Sequence, residues 1–368
     1  MTSFNSVDEH ISEYELMLLV TTNTLGVLIL SLPRLIANKT ISSDGWIGIV
    51  IGGGLACLFS WMIAKLVCKF PRQSFFSFSA QLLSKPVAII LTFLFIIQYI
   101  LTSSYHARVL SELSRQYLFD RTPIEVLCLA FLLVVVYAVS ESRVGIFRVN
   151  VLFLPIIIGI TVMVLIFSLG SAEAQNIFPV FQTDIQGYFH ATSISFQAFI
   201  GLGIVLFYIS LVEKPKNAPK ITALGVFWAM LLYLVTYIVC IGVFGNITTS
   251  NIMYPTLEVA KSIQFPGGLF ERFDSVLFSV WVMTVFITCL IAFDIAVMLF
   301  QLIFSKMKKI NIVLLLSPII YFLSMIPEDY IELMEITSFF NYFIPTYLFI
   351  VFVLLAVAYK KKGMKHIG

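Results

Sequence analysis

The chain has 368 residues, of which 60% are hydrophobic and 12% charged, and a mean hydropathy of +0.99; that balance lies far outside the range of water-soluble globular domains and defines an integral membrane protein. A net charge of +3 gives no case for binding nucleic acid. Cys57, Cys68, Cys128, Cys240 and Cys289 stand singly, and the four histidines have no ligand spacing, which argues against a metal centre, a disulfide framework or a resident cofactor.

Apolar runs close to the ~20 residues that a membrane-crossing helix needs recur ten times, and the strict alternation of a membrane β-barrel is absent. The predicted spans are 14–37, 46–67, 86–117, 123–139, 145–169, 189–212, 221–244, 275–304, 310–326 and 339–359, so one membrane domain, 14–359, lies between tails 1–13 and 360–368. The first span ends in Pro33-Arg34, not a small-residue cleavage site, and is expected to persist as a helix. An even number of spans puts both termini on one side. Sixteen of the 23 Lys and Arg residues then fall on that side, which the positive-inside rule assigns to the cytoplasm.

Span 1 contains Thr21-Thr22-Asn23-Thr24-Leu25-Gly26 halfway along its length. Hydrocarbon supplies no water for stray backbone groups, so a polar run and a glycine there predict a helix that unwinds to form a site. In span 2, Gly52-Gly53-Gly54 predicts close approach of a neighbouring helix. Along span 3, Gln98, Thr102 and Tyr105 follow i, i+4, i+7 and share a face that looks into the bundle. His106 lies just past that stripe and reads as a hydrogen-bonded core residue. Arg108 and Glu112 are spaced for an ion pair and read as a solvated helix end.

The turn Glu141-Ser142-Arg143 between spans 4 and 5 reads as cytoplasmic punctuation, and the loop 170–188 is expected to fold over the bundle through its apolar residues. Span 6 repeats the theme of span 1. Thr192, Ser193, Ser195 and Gln197 lead into Phe199-Ile200-Gly201-Leu202-Gly203, where each glycine lowers helix stability by about 1 kcal/mol relative to Ala. Spans 1 and 6 are corresponding members of two five-helix halves, and interruptions at corresponding positions point to a midplane binding site.

Between spans 7 and 8, Tyr254-Pro255-Thr256-Leu257-Glu258 begins a short helix with Pro in its first turn and an apolar face of Leu257, Ala260 and Ile263, and Pro266-Gly267-Gly268 turns the chain back. This hairpin is placed to cap an entrance. Span 8 carries Asp294 far from its ends with no basic residue beside it in the chain. A carboxylate there costs about 3 kcal/mol, which makes Asp294, with Thr288 one to two turns away, the candidate ion or proton site. The acidic loop after span 9 (Glu328, Asp329, Glu332, Glu335) reads as a solvated surface, and Tyr359-Lys360-Lys361-Lys362 as the anchor that ends span 10.

Gly26 with Leu32-Pro33-Arg34, then Asn176-Ile177-Phe178-Pro179-Val180, then Tyr254-Pro255-Thr256-Leu257-Glu258 with Phe270-Glu271-Arg272 occur in the order and spacing that resemble the B subunits of spore germinant receptors, the endospore germination permease family of the amino acid/polyamine/organocation superfamily. The resemblance implies an all-α integral membrane fold, the LeuT-like five-plus-five inverted repeat with helices 1 and 6 interrupted. It also implies residence in the spore inner membrane, receptor A and C subunits as partners, and a small nutrient ligand, often an L-amino acid, whose recognition triggers germination. Carried over by residue, the ligand pocket comprises Thr24, Leu25, Gly26 and Val27, then Gln98, Thr102 and Tyr105, then Phe199, Gly201 and Gly203. One departure is visible: Gly203 stands two residues after Gly201, where the family often has an acid. No nucleophile motif or phosphate loop suggests an enzyme. The competing expectation is a proton- or sodium-coupled amino acid transporter working through Asp294.

Overall fold

The computed structural model describes residues 10–26, 28–213, 215–263 and 273–363. Helix α1 (Glu13–Leu25) begins with a reciprocal cap: Ser12 Oγ accepts from the Glu15 N–H at 3.1 Å, and the Glu15 carboxylate accepts from the Ser12 N–H at 2.7 Å. It stops at Gly26, whose φ of +39° is a conformation that L side chains rarely adopt. The chain resumes as α2 (Leu32–Ala37), with Pro33 in its first turn. Then follow α3 (Gly45–Val67), α4 (Phe75–Leu82), α5 (Lys85–Tyr117), α6 (Ile124–Ser140), α7 (Arg143–Ser168) and α8 (Ile185–Ala198). Past α8 the helix tightens into 3-10 geometry at Ile200–Ile204, relaxes into α9 (Val205–Tyr208) and tightens again at Ile209–Leu211. The remainder is α10 (Ala218–Asn251), α11 (Pro255–Lys261), α12 (Phe273–Ile303), α13 (Lys309–Ser324) and α14 (Tyr330–Gly363).

Among the described residues seven helical segments are long and apolar enough to cross a membrane; the broken α1–α2 pair and the shorter apolar helices α6 and α13 complete the ten predicted spans. Both described chain ends reach the same end of the bundle. Ile11 bridges to Val212, the Asn217 N–H donates to Glu13, Phe70 packs on Tyr359 and Lys362 reaches the Gln81 carbonyl. This is the basic end that the charge distribution predicts.

Several boundaries differ from the sequence reading. Helix α4 occupies a stretch read as loop; Ser74 caps it, and Phe75, Phe78 and Leu82 bury one face, a pattern too short to stand out within an apolar chain. Helix α10 runs past 244 because Gly245, at φ +71°, lets it kink and continue to Asn251. Helix α14 starts at Tyr330 instead of 339. Its acidic leader is a cap: Asp329 accepts from the Glu332 N–H at 2.9 Å, and Glu332 accepts from the Glu328 N–H at 2.7 Å. At its other end α14 continues through Lys360–Lys362 to Gly363, so part of the predicted tail is helix.

Two glycines of the α3 run act as expected, while Gly54 is exposed with nothing within 4 Å of where its Cβ would be. A Cβ on Gly52 would lie 2.7 Å from Ser195 Cβ of α8, and one on Gly53 would lie 2.4 Å from Met230 of α10, so α3 fits between these helices only without side chains there. At the far end, the loop before α8 is tied down by Asp44, a residue the sequence did not single out. Its buried carboxylate accepts from the N–H groups of Phe181 (2.6 Å), Gln182 (2.6 Å) and Thr183 (2.8 Å) and from the Tyr188 hydroxyl (3.1 Å). Burial alone would raise its pKa; the donors of Thr183, Phe181 and Tyr188 outweigh it and hold the carboxyl below its ordinary value.

Candidate functional site

Where α1 stops and α8 gives way to 3-10 helix, the two interruptions touch. Asn23 Nδ2 donates to the Gly201 carbonyl at 2.7 Å, and a Cβ on Gly201 would lie 2.3 Å from the Asn23 carbonyl oxygen and 3.0 Å from Thr24 Cα. The contact is backbone on backbone, which is why a glycine stands there. Loose carbonyls at the end of α1 are collected by Tyr233 of α10, whose hydroxyl donates toward Leu25 O at 2.6 Å and Thr24 O at 3.2 Å. Thr256 of α11 likewise donates to Ile29 O at 2.8 Å. The hairpin helix read from the Tyr-Pro-Thr-Leu-Glu motif therefore seats on the break in span 1; its Pro266-Gly267-Gly268 turn lies outside the described residues.

Beside this junction lies a cavity of about 150 Å³. Its wall comprises Asn23, Thr24, Leu25, Gly26 and Leu28; Tyr99, Leu101, Thr102, Tyr105 and His106 of α5; Gln197, Ala198, Ile200 and Gly201; Ala292 of α12; and Thr337, Phe340, Asn341 and Ile344 of α14. No Asp, Glu, Lys or Arg is among them. An apolar cavity of about this size accommodates benzene, so the space suits a small molecule with neutral polar partners at its edges.

Of the predicted pocket residues, Thr24, Leu25, Gly26, Thr102, Tyr105 and Gly201 line the cavity. Val27 lies outside the described residues. Three others are placed elsewhere. Gln98 is one turn nearer the basic end, and at that level α5 presents Tyr99. Phe199 is fully buried behind the junction, edge-on to Tyr233 at 5.4 Å. Gly203 faces α14, where its Cβ would lie 3.3 Å from Leu348. His106, read as core, is part of the wall, and its Nδ1 makes no hydrogen bond. The sequence does not point to α14: Thr337 lies two residues before the predicted span 339–359, and Asn341 is a single polar residue in an apolar run.

Neither Asp294 nor Thr288 lines the cavity. The Asp294 carboxylate is fully buried and accepts from Arg143 Nε at 2.8 Å and the Tyr208 hydroxyl at 2.9 Å, with Lys309 Nζ 3.9 Å from its second oxygen. The partner sought in a proton or ion is thus a guanidinium. Arg143, read as punctuation in a turn, is 3% exposed at the start of α7, a placement that sequence distance conceals. The Thr288 hydroxyl donates to Val285 O on its own helix, and its methyl lies against Gly26. Arg108 and Glu112 do pair, at 2.9 Å, but at 3% and 7% exposure they are buried, not solvated; Arg108 also reaches the carbonyls of Ser324 and Glu328 at the end of α13. The N-terminus of α2 stands off the cavity, since neither Ser31 nor Leu32 lines it.

Ten membrane-crossing segments with paired breaks in the first and sixth, closed around a cavity at the breaks, define the LeuT-like membrane fold. Solved structures agree: MhsT in complex with L-phenylalanine superposes with a TM-score of 0.73 at 14% identity, over 95% of this chain and 89% of that one. Mhp1, a nucleobase-cation-symport-1 family transporter in a closed conformation with bromovinylhydantoin bound, gives 0.66 at 13% identity, over 95% and 78%. The family described as spore germination protein matches residues 10–333, and the chain belongs to that spore germination permease family. It is 35% identical to spore germination protein GerLB of Bacillus cereus over 89% of this chain and 88% of that protein. It is 29% identical to YndE of Bacillus subtilis (strain 168), over 83% and 84%. The chain is therefore a multi-pass membrane protein of nutrient sensing or transport.

Proposed function

We propose that this chain is the nutrient-binding B-type subunit of a spore germinant receptor, taking a small, net-neutral L-amino acid in the cavity at the helix breaks. One observation carries the reading: both predicted interruptions, joined by the bond from Asn23 to Gly201, line a small cavity whose described lining residues include no Asp, Glu, Lys or Arg. Such a wall disfavours acidic and basic ligands, which would enter unpaired, and admits a zwitterion or another neutral polar molecule. Thr24, Thr102, Gln197 and Asn341 offer hydrogen bonds, and Tyr99, Tyr105 and Phe340 offer apolar surface for a side chain. Occupancy then shifts an equilibrium between conformations of the bundle by as much as the ligand prefers one of them. The receptor reading places the chain in the spore inner membrane, with both termini in the cytoplasm and A and C subunits as partners. Burial of Asp294 against Arg143 favours sensing over ion-coupled uptake, because it occupies the carboxylate that coupling would use.

Labelled amino acids offered to proteoliposomes containing this chain alone separate the alternatives. Saturable binding without accumulation is the expected result. Uptake that needs a proton or sodium gradient and disappears in Asp294→Asn replaces the receptor reading with a transporter. In spores, Gly201→Val, which drives a side chain into the Asn23 carbonyl, and Gly26→Val, which puts a β-branched residue at φ +39°, are expected to abolish the nutrient response while the protein still accumulates. A normal response in either variant removes the pocket assignment.

A further inference from the structure

We infer that α14 supplies the contact that recognises the ammonium group of the nutrient, through the backbone carbonyl of Asn341, which Pro345 leaves without its helical donor. The inference rests on the pocket reading above and adds to it a residue, an atom and a ligand group.

Thr337, Phe340, Asn341 and Ile344 recur at i, i+3, i+4 and i+7, so one face of α14 forms the cavity wall. Pro345 follows at once, buried and inside the continuous helix. A proline has no N–H, so the carbonyl four residues earlier loses its intrahelical partner, and that carbonyl belongs to Asn341. At membrane depth no bulk water replaces the missing donor. An acceptor on a cavity-lining residue is thereby left for whatever occupies the cavity.

Elimination points the same way. No described residue of the wall carries a carboxylate, so the cationic end of a zwitterion is left to neutral oxygens and to the aromatic faces of Tyr99, Tyr105 and Phe340. Four of the carbonyls at the breaks in spans 1 and 6 already carry donors: Thr24 O and Leu25 O from Tyr233, Gly201 O from Asn23, and Ile29 O from Thr256. Beyond Pro345 the same face of α14 is anchored by Leu348, Val351 and Leu355, buried to 3% exposure or less, so the proline divides a wall segment from an anchored segment. Wall and anchor meet at the acceptor.

The test is equilibrium binding to the purified full chain in nanodiscs. The probes are tritiated L-alanine, L-valine, L-leucine and L-phenylalanine, each paired with its deaminated carboxylic acid. In the wild type, removing the ammonium group is expected to weaken the best probe by about tenfold or more. Pro345→Ala restores an N–H to Asn341 and should weaken the amino acid by a similar factor, leave the deaminated analogue unchanged and preserve or raise the thermal stability of the helix. Pro345→Gly restores the same N–H and gives the same readout should the alanine variant not fold. Asn341→Ala keeps the carbonyl and should keep the preference for the ammonium group. Unchanged amino acid affinity in Pro345→Ala, or an equal loss for amino acid and analogue, overturns the inference. If Gly201→Val abolishes binding while Pro345→Ala does not alter it, the α14 contact falls and the pocket reading stands; if the wild type binds none of the probes, both fall.

Discussion

Helices α12 and α14 are almost indistinguishable in hydropathy, 2.5 against 2.2 over their most apolar stretches, yet 72% of that stretch is buried in α12 and 22% in α14. Lipid tails are as apolar as leucine, so hydropathy reports that a helix crosses a membrane and is blind to whether it faces protein or lipid. The polar groups of the two helices separate accordingly. In α12, Asp294 is locked into an ion pair; in α14, Thr337 and Asn341 stand in the cavity wall.

The largest effect should come from breaking the lock in α12. Arg143→Met or Asp294→Leu alone breaks a buried pair and should destabilise the fold by about 3–5 kcal/mol, whereas the double substitution should recover most of the loss. Thermal unfolding of the four proteins in one detergent gives the cycle; losses that simply add would mean that the pair does not act as a unit. Within α14 the contrast is between faces. Leu348→Ala, 3% exposed beneath Gly203, should cost about 2–5 kcal/mol, and Ile350→Ala, 51% exposed, should stay within about 0.5 kcal/mol. Equal costs would show that α14 is packed all round, as α12 is.

A smaller effect tests a second way of holding an acid. Asp44 is satisfied by backbone N–H groups, not by a cation, and its folded pKa lies below that of the unfolded chain. The sign follows: its contribution is complete above about pH 3.9, the unfolded value, and is lost as pH falls through the lower folded value. The melting temperature of the wild type should therefore drop below about pH 4. Asp44→Asn should cost about 1–3 kcal/mol near pH 7 and show a shallower acid loss. Parallel pH profiles would remove Asp44 as the clasp on residues 181–183.

Much of this protein is written locally. Ten spans, the interruptions at Gly26 and Gly201, the helix at Tyr254-Pro255 and the close approach at Gly52 and Gly53 follow from residue type and spacing, because at membrane depth every unsatisfied backbone group and every missing Cβ has a direct structural consequence. Part of the cavity wall followed as well, since Thr24, Gly26, Thr102, Tyr105 and Gly201 are polar or small where an apolar helix has no local need of them. What the tertiary structure decided is which residues from distant parts of the chain meet. Arg143 and Asp294 are 151 residues apart in the chain, and Asn341 stands on a helix that composition marks only as membrane-spanning. Periodicity places a residue on a face of its own helix, but which neighbour that face meets depends on how ten helices pack together, and that long-range choice created both the ion pair and the wall contributed by α14.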